Sequence, residues 1–325
     1  MSDFIKYRFP GKEKETLCGE FYPLKSIKEY KGFIISSFAD DEIFGFNEQK
    51  ESSLEFSFSE EIPYCVNARE YYMQAHELLN GLNFMQMEKA VFSRVKKVEF
   101  SAKNLFYLYE DLCQKYPQSL VYLFSGKKLG TWIGATPEIL IESHRQNLFT
   151  CAMAGTQKSD ENRQWTNKEK TEQEIVKEDI VQCFKELKLN EVECSETYDF
   201  LAGPVKHLRT DIAATIPKGL SALEIANFLH PTPAVCGYPY VQALQLIQTV
   251  EQQRRRFYTG YLGWVENNYS KLYVNIRCAQ SFENSLYLYI GGGYTLESIP
   301  ELEWIETENK SKTIIHCIRN DYDKR

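Results

Sequence analysis

Two pairs of glutamates, each spaced three residues apart, are the residues whose types and spacing could do chemistry. Glu169 and Glu172 lie in KEKTEQEIV (168–176), and Glu303 and Glu306 lie in GGGYTLESIPELEWIETENK (291–310). On a helix, carboxylates at i and i+3 share a face and repel by about 0.2–0.5 kcal/mol. Such a face is either solvated or has something positive between its members. Lys310, at i+7 from Glu303, continues the second face. Two helices that each offer an acidic pair could build an oxygen-rich site for a hard divalent cation, Mg²⁺. The triglycine 291–293 ends an apolar run, LYLYI, and would let bare backbone N–H groups approach an anion closely.

Five further residues offer chemistry, each with a plainer reading beside it. In KLYVNIRCAQ (271–280), strand alternation separates Leu272, Val274 and Ile276 from Tyr273, Asn275 and Arg277. Arg277 suits bidentate recognition of a carboxylate, or its face is simply solvated. Tyr258 is an anion donor or a core aromatic. Lys89 begins KAVFSR and shares a face with Val91 and Ser93; in apolar surroundings a lysine loses its charge and can act as a general base, or it snorkels. Glu138, in GATPEILIE, is a general acid or a strand-end carboxylate. His230, in the HPTP loop, is as readily structural as functional.

The elements that must position these residues alternate along the chain. Strands are expected at FIKYRF, KGFIISSF and LEFSF in the first 60 residues. Helices are expected over 67–82, 104–116, 166–187, 221–229 and 240–256, the last ending in RRR. Strands are expected at 88–100, at LVYLF, GTWIGA, EILIE, LFTCAMAG, VEC, FLAG and VKHLRTDIAATI, and at three late segments: FYTGYLGWVE, KLYVNIRCAQSF and SLYLYIGGG. The helix carrying Glu303 is expected over 300–316, opened by Pro300, whose missing N–H would be unpaired there anyway. Helices mixed with antiparallel-looking strands, and no linker or repeat, imply one α+β domain.

Composition bounds the rest. The chain has 325 residues, 43% hydrophobic and 26% charged, with a net charge of −7 and no basic stripe, which argues against a nucleic-acid partner. Nine cysteines without a CxxC pair imply free thiols in a reducing compartment. Without an export signal or a long apolar run, the expectation is a cytoplasmic protein that does not span a membrane.

Taken together, the segments KAVFSR, GATPEILIE, AMAGTQK, EKTEQEIV, LHPTPAVCGYP, FYTGYLGW, VNIRCAQ and the 291–310 stretch resemble the chorismate-utilising enzymes, which include the isochorismate, salicylate, anthranilate and aminodeoxychorismate synthases. The resemblance runs from about 85 to 317. It implies a single domain with two large, mostly antiparallel sheets and flanking helices around a deep active-site cleft, with 1–65 as a shortened N-terminal part and 66–325 as the chorismate-binding region. It implies Mg²⁺ held by Glu172 and Glu306, with Glu169 and Glu303 as partners acting through water. The ring carboxylate of chorismate would be held by Gly155, Thr156 and the metal. The enolpyruvyl carboxylate would be held by Arg277, Tyr258 and the Gly292–Gly293 region, and Lys310 would lie at the metal-carboxylate end. Gln157 stands where arginine is frequent. Ammonia-using members typically carry glutamine at the position of Lys89, and anthranilate and salicylate makers usually carry threonine at that of Ala234. The resemblance therefore implies a monomeric isochorismate synthase without a glutaminase subunit. Lys89 would activate water for attack at C2, Glu138 would protonate the departing C4 hydroxyl, and the product would feed menaquinone formation. A salicylate synthase, a siderophore-pathway isochorismate synthase and a non-catalytic binding protein are the alternatives.

Overall fold

The computed structural model describes residues 3–39, 42–49, 54–160, 163–202 and 205–319, apart from the side chains of 156, 158 and 202. In chain order its strands are β1 (Asp3–Arg8), β2 (Glu15–Pro23), β3 (Gly32–Ser36), β4 (Ile43–Glu48), β5 (Lys89–Glu99), β6 (Leu120–Gly126), β7 (Gly130–Thr136), β8 (Ile139–His144) and β9 (Asn147–Lys158). They continue as β10 (Asn190–Cys194), β11 (Tyr198–Ala202), β12 (Val205–Thr215), β13 (Gly237–Tyr238), β14 (Tyr261–Val265), β15 (Tyr269–Val274), β16 (Cys278–Phe282) and β17 (Ser285–Tyr294). The α-helices are α1 (Ala68–Phe84), α2 (Leu105–Lys115), α3 (Asn167–Glu186), α4 (Ala222–Leu229), α5 (Tyr240–Val250) and α6 (Pro300–Ile315).

Every strand pairing is antiparallel, and the pairings form one ribbon: β13-β5-β17-β16-β7-β6-β1-β2-β4-β3-β14-β15-β8-β9-β12, with β10 and β11 both on β12. The two expected sheets are the two halves of this ribbon. Alternating side chains show how the halves pack. Tyr122 and Phe124 of β6, Trp132 of β7 and Tyr287 and Tyr289 of β17 meet Phe33 and Ile35 of β3, Leu262 of β14 and Tyr273 of β15 in an aromatic inner core. The opposite faces are covered by helices. Val121, Leu123, Leu286 and Leu288 pack under α2 and the end of α6. Ile34, Leu272 and Val274 pack with α3 and α4. Helices α1 and α5 cover Ala90 and Phe92 of β5.

Three expected elements differ from what forms. LEFSF (54–58) forms no strand beyond a single bridge at Leu54. Its backbone is held by side chains instead: Ser57 N–H donates to Ser125 Oγ (2.7 Å), and Ser57 C=O accepts from Thr131 Oγ1 (2.7 Å). The helix expected to reach 256 stops at Val250 because Glu251 turns extended and pairs with Arg255 in the interior, 2.6 Å apart and both at most 3% exposed. KLYVNIRCAQSF is two strands, β15 and β16. Buried Asn275 breaks it, donating its Nδ2 to Phe257 C=O (2.8 Å) and accepting from the Tyr122 hydroxyl (2.5 Å). The alternation argument therefore ends at Val274, and Arg277 sits at φ +54°, a left-handed conformation that costs a non-glycine residue about 1–2 kcal/mol. Strands β2 and β4 and the two-residue β13 were not foreseen; β2 carries Glu15 and Glu20 among its apolar residues and β4 a central Gly45. Among the described residues no helix is long and apolar enough to cross a membrane.

Candidate active site

Helix α6 has Pro300 in its first turn and offers two different faces. One packs on β5 and β17. There Arg94 Nε donates to Thr307 Oγ1 (2.8 Å), its guanidinium lies 3.7 Å from the centre of the Trp304 ring, and it pairs with Glu308. The other face turns Glu303, Glu306 and Lys310 into a cavity of about 790 Å³. The expected i, i+3, i+7 stripe is therefore an interior wall. Lys310 Nζ sits 2.6 Å from Glu306 Oε1 and donates to Gly291 C=O (2.8 Å), which ties the helix to the glycine run.

Helix α3 faces α6 across this wall. A capping box starts it: Thr166 Oγ1 accepts from Glu169 N–H, and the Glu169 carboxylate accepts from Thr166 N–H at 2.8 Å. Both Glu169 oxygens are also engaged by Arg163, at 2.5 and 2.9 Å. Burial pushes Glu169 up, but Arg163 and Thr166 outweigh it and hold the carboxyl below its usual range. Among the described residues Oε2 accepts from Arg163 and from the backbone and hydroxyl of Thr166, whereas Oε1 accepts from Arg163 alone, so Oε1 is the atom with a lone pair left for a cation or its water. One turn on, Glu172 Oε1 lies 2.9 Å from Lys89 Nζ. Ile175, Val176, Ile180 and Phe184 anchor the other side of the helix in the core.

The glycines explain how acidic groups from two helices reach one strand. A Cβ on Gly292 would stand 3.1 Å from Glu303 Oε2, and one on Gly293 would stand 2.4 Å from Glu172 Oε1. Only residues without a Cβ leave those carboxylates room. The interior charges shift one another. Burial and the Glu306 charge push Glu303 up, although Lys168 Nζ bonds it at 2.9 Å. Burial also pushes Glu306 up, but Lys310 outweighs it and leaves the carboxyl lowered.

Lys89 is 1% exposed. Its strand end is fixed by β13, where Tyr238 pairs with Lys89 and Gly237 with Ala90. The proline-punctuated loop that carries Ala234 to the cavity wall is held from behind: Arg255 donates to Val235 C=O (2.8 Å) and Val91 C=O (2.6 Å). Arg255 and its partner Glu251 were missed in the sequence because RRR reads as the end of a helix. His230 Nε2 donates to the carbonyls of Ser37 (3.2 Å) and Phe38 (3.1 Å), away from the cavity lining.

Glu138 faces the cavity, which leaves its surface partly accessible although it is walled from bulk solvent. Burial raises its pKa to about 7 against the opposing charges of Lys89, Arg277 and Lys310. A carboxyl poised there can donate a proton near neutrality. Arg277 also lines the cavity, and among the described residues its guanidinium makes no hydrogen bond or ion pair, so its fork is open to a ligand carboxylate. The Tyr258 ring stacks on Tyr289 with centres 5.7 Å apart, and its hydroxyl would lie 2.9 Å from a Cβ on Gly291. Tyr258 is thus both a core aromatic and a cavity group.

At the opposite wall Gly155 adopts φ +69° against Glu169, and its carbonyl meets His207 Nδ1 at 2.8 Å. Burial lowers the His207 pKa to about 4, so the ring is neutral and Nδ1 carries the hydrogen it donates. His207 was not singled out in the sequence. The side chain of Thr156, next in β9, lies outside the described residues. Gln157 is 2% exposed and lines the cavity, and among the described residues neither of its amide atoms has a hydrogen-bond partner, which marks it as a ligand-facing group.

Among the described residues no three His, Cys, Asp or Glu side chains form a metal-holding cluster. A small hard cation does not need three, because it keeps several waters and takes one or two carboxylates plus ligand oxygens. Glu172 with Glu303 or Glu306, brought together over Gly292 and Gly293, meets that requirement.

The profile of a family described as "Chorismate binding enzyme" matches residues 37–319. The vibriobactin-specific isochorismate synthase of Vibrio cholerae is 28% identical over 268 residues, covering 77% of this chain and 66% of that protein. Isochorismate synthase EntC of Escherichia coli is 29% identical over 244 residues, covering 71% of this chain and 62% of that protein. The chain thus spans slightly under two thirds of the length of these curated relatives. The structure of MenF, the menaquinone-specific isochorismate synthase from Escherichia coli, superposes with a TM-score of 0.81 at 17% identity, covering 98% of this chain and 89% of that one, which shows a shared fold.

Proposed function

The chain belongs to the chorismate-binding enzymes, and from that premise we propose that it is an isochorismate synthase, isomerising chorismate by adding water at C2 and expelling the C4 hydroxyl. The observation that carries this reading is Lys89, an amine 1% exposed in the cavity wall, whose charge is the largest one acting on the poised carboxyl of Glu138.

In this reading the open guanidinium of Arg277, with the Tyr258 hydroxyl, seats the enolpyruvyl carboxylate. The ring carboxylate lies toward Gly155, Thr156 and the acidic wall. Mg²⁺ bound by Glu172 and Glu306 would supply the positive charge against which that carboxylate seats. Lys89, as the free amine, takes a proton from a water as the C2–O bond forms. The ring double bonds shift, the C4–O bond breaks, and Glu138 protonates the leaving oxygen, so one water enters and one leaves. An ammonium cannot accept a proton, so the base role requires the Lys89–Glu172 ion pair to open. The small side chain of Ala234 and the amine at 89 favour this product over salicylate and anthranilate, and water as nucleophile requires no glutaminase partner. Assignment to menaquinone formation rests on the sequence expectation alone; its test is whether menaquinone disappears on deletion of the gene and returns with it.

Purified protein given chorismate and Mg²⁺ without ammonium is expected to accumulate isochorismate and stop short of full conversion, because one C–O bond replaces another of the same kind. Salicylate with pyruvate as main product, or an absolute need for ammonium, would overturn the reading.

A further inference from the structure

We propose that Lys168 is a built-in counter-cation that competes with a divalent metal for the carboxylates of Glu303, Glu306 and Glu172, and so sets a weak affinity for that metal. The inference rests on the metal site proposed above.

The three carboxylates already face three ammonium groups, Lys168 on Glu303, Lys310 on Glu306 and Lys89 on Glu172. A divalent cation entering this wall meets charge that is already balanced, so one ammonium must withdraw. Lys89 is enclosed, and Lys310 is held twice, by Glu306 and by Gly291 C=O. Among the described residues the Lys168 ammonium makes one hydrogen bond, to Glu303, and its side chain is 25% exposed, so its flexible stem has solvent to swing into.

Its position in the helix points the same way. Lys168 is the second residue of α3, in the first turn, where the helix dipole disfavours a cation. Glu303, 2.9 Å from the Lys168 ammonium, opposes that cost, and its other oxygen is among the carboxylate atoms gathered over Gly292 and Gly293 where a metal would enter.

Mn²⁺ binding to the full chain, measured by calorimetry at pH 8 without chorismate, reads the competition directly. Lys168→Met and Lys168→Gln should each bind Mn²⁺ at least about tenfold tighter than wild type, because a positive charge beside the ligands is gone. Lys168→Arg, which keeps the charge, should bind like wild type, and Glu306→Gln should abolish binding in every background. Thermal unfolding confirms that each variant is folded, and the two neutral variants guard against loss of one. Unchanged or weaker binding by both neutral variants, with binding still dependent on Glu306, overturns the role of Lys168 and leaves the metal site standing. Binding that ignores Glu306, or no binding in any variant, overturns the metal site and this inference with it.

Discussion

Glu138→Gln separates the proton-donor reading from a merely polar one through stability as well as turnover. The carboxyl rises from 4.5 to about 7, chiefly through burial. At about 1.4 kcal/mol per pH unit the ionised form costs the fold ~3 kcal/mol, and cavity water screens this to ~2–3 kcal/mol. A folded-state pKa above the unfolded one means that the native protein holds the proton more tightly. Below pH 4.5 both states are protonated and no cost is felt. Between 4.5 and about 7 the wild type loses stability as pH rises, and above about 7 the full cost is present. Glutamine does not titrate, so denaturant unfolding should show the variant gaining on wild type across that window and holding a constant advantage beyond it. Wild-type kcat should fall above about pH 7 as the donor ionises, whereas the variant should bind chorismate and convert it at least ~10²-fold more slowly. A stability difference independent of pH would refute the reasoning.

Three further perturbations test the rest of the site. Arg277→Gln should weaken chorismate binding by about 10- to 100-fold in calorimetry, the loss of 1.5–3 kcal/mol of charged hydrogen bonding, without lowering stability, since the guanidinium has no partner among the described residues. Gly293→Ala would put a Cβ 2.4 Å from Glu172 Oε1, and steady-state kinetics should show kcat reduced by about 10²-fold through the displaced carboxylate and Lys89, with a near-normal melting curve. Glu251→Gln leaves Arg255 buried without its counter-charge and should cost about 3–5 kcal/mol in denaturant unfolding, freeing the 230–239 loop and lowering activity with it.

The parts of the fold governed by local pattern could be read in the sequence. The i, i+3, i+7 stripe of α6, the apolar stripe of α3, the alternation that puts Lys89 with Val91 and Ser93 in β5, and the apolar runs of β6 and β17 all appear in the order of residues. What could not be read depends on distant partners. The break at Asn275 is made by Tyr122 and Phe257, and the end of α5 is made by strands that accept hydrogen bonds from Arg255. The site shows the same division. Spacing placed Glu303, Glu306 and Lys310 on one face. His207 and Gln157 reach the cavity only because β12 pairs with β9, and the ion pairs of Lys89 and Lys168 depend on how α3 lies over the glycines.

The central claim is that solvent water becomes the C2 hydroxyl of the product, and running the reaction in ¹⁸O-labelled water with Mg²⁺ and no ammonium tests it most directly. Mass spectrometry at early conversion should find isochorismate carrying one solvent-derived oxygen, and Lys89→Ala should lose that product while remaining folded. Unlabelled isochorismate, or labelled salicylate as the main product, would contradict the account.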